Sequence, residues 1–66
     1  MDFTDDERGE IAAEHDQVAA SLWPQVRDAE RRGQVDLACR LRQMACDAMD
    51  VAQAARTSAA ALSRVY

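Results

Sequence analysis

The stretch GQVDLACRLRQMACDAMDVAQAA, residues 33–55, decides the fold. Ala38, Ala45 and Ala52 stand seven residues apart, and Ala59 continues the series. Leu41, Ala48, Ala55 and Leu62 form a second column at the same spacing, and Leu37, Met44, Val51 and Val65 fall in a third. Three adjacent apolar columns with a strict seven-residue period predict one long helix with coiled-coil-like packing. Alanine in the central columns lets a neighbouring helix approach closely, while Leu37, Met44 and Val51 flank that approach.

The punctuation upstream predicts the neighbour. Arg31 and Arg32 precede Gly33, which suits the left-handed residue that closes a helix. At the other end, Thr4 and Glu7 have the Thr-x-x-Glu spacing of a capping box, with Asp5 and Asp6 favouring the positive end of the helix dipole. Helices are therefore expected over about 5–32 and 37–64, joined by a turn at 33–36, with Asp36 as the second N-cap. Matched lengths and a short connection give an all-α antiparallel hairpin, one small domain over residues 1–66. Pro24 conflicts with an uninterrupted first helix, because it removes a hydrogen bond and disfavours helical geometry at Trp23. The first helix is expected to kink or break there.

Helix one carries its own apolar stripe: Ile11, His15, Val18, Leu22, Val26 and Ala29. An antiparallel turn at Gly33 places Val18 near Val51 and Leu22 near Ala48, so large residues meet small ones. The acidic first turns are expected beside Arg56 and Arg64. Three apolar columns are wider than one helix–helix contact consumes. A second copy, giving a homodimeric four-helix bundle, is the most economical cover. The expected bundle residues are Val18, Leu22, Leu37, Ala38, Leu41, Met44, Ala45, Ala48, Val51, Ala52, Ala55 and Leu62.

Composition bears this out as a need. Of the 66 residues 48% are apolar, but 14 of these are Ala and only 11 are Leu, Ile, Val or Phe. A chain so short and so poor in large apolar side chains gains little from its own core. The formal net charge is −4, and residues 1–16 hold seven acids against Arg8. No basic stripe is present, so direct nucleic-acid binding is not expected. The acidic start MDFTDDE predicts no signal peptide, and the longest uncharged run, Gln17–Val26, is too short to span a membrane. A cytoplasmic protein is expected.

The inventory for catalysis is thin. One His, no Lys, no Gly-rich phosphate loop and no Gly-x-Ser-x-Gly elbow leave no nucleophile–base pair. No enzymatic activity, cofactor or metal is expected. His15 reads as a boundary histidine held by a polar neighbour, and the acids between Asp2 and Asp16 as a solvated helix start. Cys39 and Cys46 lie about 10 Å apart along one helix, too far to bridge each other, on the side away from the alanines. Trp23 stands off the main stripe and is a candidate anchor for another protein.

The leading expectation is a non-enzymatic interaction module that binds itself and a further protein, the latter through Trp23, Asp5, Asp6, Glu10 and Glu14. The alternative is an acidic antagonist of a nucleic-acid-binding protein, occupying a basic groove. A third reading is a metal or redox role for the cysteines.

Overall fold

A computed structural model describes residues 3–66. Three helices follow one another: α1 (Asp5–Arg31), α2 (Val35–Thr57) and α3 (Ala59–Val65). The first two pack as an antiparallel hairpin, and the short third folds against the end of α2. The chain makes a slab of 43 × 18 × 13 Å.

The first helix starts on the capping box. The Glu7 backbone N–H donates to Thr4 Oγ1 at 3.1 Å, and the Thr4 N–H donates to Glu7 Oε1 at 2.9 Å. These bonds satisfy two donors that a helix start leaves orphaned. At its far end Gly33 adopts φ 74°, a left-handed conformation that a side chain would strain. The Gln34 N–H then reaches Ala29 O at 2.9 Å and the Gly33 N–H reaches Glu30 O at 3.1 Å, the paired bonds of a Schellman motif. This closure is so tight that α2 begins at Val35 with Gln34 as its N-cap, and no side chain caps it. Asp36 is thus not the N-cap. It sits in the first turn, where its charge still favours the dipole.

Pro24 lies inside α1 without ending it, so of the kink or break expected there the break is absent. Its ring is on the exposed side of the helix, where water can satisfy the carbonyl that lost its donor. The Gln25 side chain also donates to Ser21 O at 2.9 Å, which ties the turn around the proline.

The break comes instead at Ser58, which turns the second helix expected over 37–64 into α2 and α3. Ser58 is extended (φ −172°, ψ 162°), and its Oγ accepts from the Ala61 N–H at 3.0 Å as an N-cap. The carbonyls freed at the end of α2 find a new donor. Arg8 Nε donates to Ala55 O at 2.8 Å, and its Nη2 reaches Arg56 O at 3.5 Å. The redirected α3 drives Leu62 into the end of the hairpin against Ala12 and Ala55, with Phe3, Ile11 and Val51 around it. Leu62 is fully buried.

Between α1 and α2 the core is a seam of small residues. Ala38, Ala45, Ala48, Ala52 and Ala55 are buried on α2, and Ala12, Ala19, Leu22, Val26 and Ala29 on α1. No polar side chain is buried among the described residues. Leu62 therefore supplies an outsized share of the large apolar volume. Replacing it, Leu62→Ala, is expected to lower stability by about 2–5 kcal/mol, and Ser58→Ala by about 1 kcal/mol. Both are read by urea denaturation followed by circular dichroism. A Leu62→Ala protein as stable as the parent would show that α3 contributes nothing to the fold.

Candidate interaction surface

The two broad faces of the hairpin differ in chemistry, and the difference begins in the helical repeat. Asp16, Trp23 and Glu30 recur every seven residues on α1, as do Arg42, Met49 and Arg56 on α2. The antiparallel register pairs Asp16 with Arg56 and Glu30 with Arg42. Halfway between the two pairs on each helix stand Trp23, half-buried, and Met49, exposed. One face is thus flanked by charge pairs with an apolar rung at its centre. Arg56 lies beside the first turns of α1, where its carbonyl accepts from Arg8 Nη2 at 3.5 Å, and its guanidinium pairs with Asp16, three turns into α1. Arg64 makes no ion pair among the described residues.

Val18 lies two residues beyond Asp16, about 200° further round the helix, and so belongs to the opposite face. There the apolar side chains remain open. Val18 is 45% exposed and Met44 54% exposed. A shallow groove runs between them, lined by His15, Val18, Met44, Asp47, Ala48 and Val51. It continues through Val51 toward Val65 and Asp50. At the turn end, Leu37 and Leu41 line a second depression with Pro24, Gln25 and Ala29. The row Leu37–Met44–Val51 links the two.

The twelve expected bundle residues divide between these environments. Leu22, Ala38, Ala45, Ala48, Ala52, Ala55 and Leu62 are buried within the chain itself. Leu41 and Val51 are half-buried, and Val18, Leu37 and Met44 are exposed. The alanine seam is therefore closed by the hairpin, and the open face consists of the bulkier residues beside it.

Of the expected partner contacts, Trp23 belongs to the ion-paired face. Asp5, Asp6, Glu10 and Glu14 are all exposed near the start of α1. Asp5 pairs with Arg8 at 3.0 Å, while Asp6, Glu10 and Glu14 have no ion-pair partner among the described residues. Asp2, the first member of that acidic run, lies outside the described residues.

His15 sits at the edge of the open face. Its Nδ1–H donates to Ile11 O at 2.8 Å, the i−4 carbonyl of its own helix. Tyr66 places its ring edge-on to His15 at 5.8 Å and to Phe3 at 5.9 Å. This aromatic group was not foreseen in the sequence, because it depends on the turn at Ser58. A Thr-Ser pair interrupting an alanine run was the available signal. Both cysteines are free and exposed.

Comparison with protein-family models, with curated proteins and with solved structures gives no match for this chain. No helix of the described residues is long and apolar enough to cross a membrane.

Two carboxylates are held below their ordinary values. Glu7 is lowered by the Thr4 backbone and hydroxyl bonds, and Asp16 by its hydrogen bond and charge contact with Arg56, which in turn is held charged. A carboxyl whose folded value is depressed stabilises the fold above its unfolded value. That stabilisation is lost as pH falls through the folded value. Thermal stability is therefore expected to fall below about pH 4, near the unfolded carboxylate range. Asp16→Asn should flatten part of that fall in melting curves taken from neutral to acid pH. An unchanged pH dependence would mean the Asp16–Arg56 pair contributes nothing in solution.

Proposed function

We propose that the chain is a non-enzymatic helical interaction module, a regulator, adaptor or inhibitor that works as a homodimeric four-helix bundle in the cytoplasm. The observation that carries this reading is the exposure of Val18 and Met44 on either side of a shallow groove that Ala48 and Val51 also line. Large apolar side chains grouped on one face of a small protein mark a contact surface. The poor supply of large residues inside supports the same reading, since a 66-residue chain with an alanine core has few other sources of stability. Two free, exposed thiols fit a reducing compartment.

In this reading the second protein meets the outer surface, through Trp23 and the acids Asp5, Asp6, Glu10 and Glu14. A second reading, an acidic antagonist of a nucleic-acid-binding protein, is favoured by the absence of ion-pair partners for Asp6, Glu10 and Glu14 among the described residues. Steep weakening of partner binding by salt would favour the antagonist, because exposed charge contacts are screened.

The bundle is tested by absolute mass from sedimentation equilibrium, with helicity followed alongside. A helical dimer is expected at micromolar concentration. Met44→Glu should raise the dimer dissociation constant about a hundredfold, through lost apolar burial in both copies. A parent chain that stays monomeric and fully helical at all concentrations would overturn the reading.

A further inference from the structure

We infer that the second copy packs head to tail: the open faces stack with the Gly33 turns at opposite ends, and each helix lies against its own counterpart. This rests on the bundle reading above and adds its orientation and contacts.

The size of the face fits a second copy. The chain exposes 4672 Å², against about 4,200 Å² for a compact monomer of its mass. Its broad face, 43 × 18 Å, offers roughly 800 Å², the per-partner area of a standard stable interface.

Charge selects the orientation. At the open end, residues 3–23 hold six acids against Arg8, and across from them Asp47 and Asp50 balance Arg56 and Arg64. At the turn end, residues 24–43 hold five arginines against Asp28, Glu30 and Asp36. The molecule is thus acidic at one end and basic at the other. Stacking with the turns together sets the two acidic ends side by side, and like-charge juxtaposition across an interface is costly. Stacking head to tail sets each acidic end against a basic one. Neither Arg27 nor Arg40 at the basic end has an ion-pair partner within the chain among the described residues.

The apolar row obeys the same symmetry. With the two-fold axis lying across the broad face at the level of Met44, Met44 meets Met44 of the second copy. Leu37 then meets Val51 of the second copy, seven residues to either side. The same operation sets Arg40 opposite Asp47 of the second copy. Asp47 lines the groove between Val18 and Met44, and Arg40 precedes it by seven residues on the same stripe. Each dimer gains two such pairs.

The orientation is read from a spin label at position 34, using Gln34→Cys in a Cys39→Ser, Cys46→Ser chain. Gln34 is exposed, and its side chain makes no cap bond, so the fold tolerates the change. With Met44 on the axis, Gln34 lies ten residues from it, so pulsed magnetic resonance on the dimer should give an inter-label distance of about 30 Å. A distance on the order of 20 Å, the width of the slab, would mean that the turns lie together. That result would overturn the inference while leaving the bundle intact. A monomer at all concentrations would overturn the bundle itself. The contact is read by charge reversal: Arg40→Asp and Asp47→Arg should each weaken the dimer about three- to tenfold, and the two together should restore it. Failure of the double variant to restore affinity would overturn the Arg40–Asp47 pairing.

Discussion

The close approach of two helices along an alanine seam is the constraint on which the rest of this structure depends. Alanine on the facing side of α2 lets the two axes approach closely, and Leu22 and Val26 are the only larger side chains that α1 buries against it among the described residues. Large apolar residues are displaced to the edges of the seam, which is where Leu37, Met44 and Val18 lie. The seam thus produces both the rigidity of the hairpin and the exposure of its flank.

The same constraint explains why α3 turns back. A seam of alanines buries little area per residue, and stability scales with apolar area removed from water. Leu62 packs into the open end of the hairpin against Ala12 and Ala55, and Tyr66 adds an edge-on contact to Phe3 and His15. Arg8 makes the turn tolerable by donating to the Ala55 and Arg56 carbonyls that the break leaves free. One arginine on α1 thereby holds the end of α2, and the end of the molecule that carries most acid also carries the fully buried Leu62.

Much of this was legible in the sequence because the signals were local or strictly periodic. The capping box at Thr4–Glu7, the left-handed Gly33 and the heptad columns each need only a few neighbouring residues to be recognised. The break at Ser58 was not legible in the same way. Its N-cap is weak against a background of alanine, the strongest helix former, and its compensation comes from Arg8, 47 residues away from the carbonyl it satisfies. At Pro24 the sequence left a kink and a break open, and α1 runs on without the break. The cost of a helical proline depends on whether the freed carbonyl faces water, and here that side of α1 is exposed. For the surface, the heptad columns identified the apolar residues, yet could not divide them between seam and flank. That division depends on which way α1 rotates over α2, and the pairing of Asp16 with Arg56 and Glu30 with Arg42 records the outcome.

Folding and assembly are linked in the proposed bundle, because the surface left open by the first is what the second covers. A ligand that binds only the folded chain stabilises it in proportion to the logarithm of its concentration, and a second copy is such a ligand. The hairpin supplies the geometry without much free energy of its own. The stacked faces then supply free energy without altering the geometry, because their residues already stand outside the seam. The charge difference between the two ends adds little to that free energy, since exposed ion pairs are individually weak. Its effect falls on the choice between two stackings whose apolar contacts are similar, where a small repulsion at one pair of ends is enough to decide.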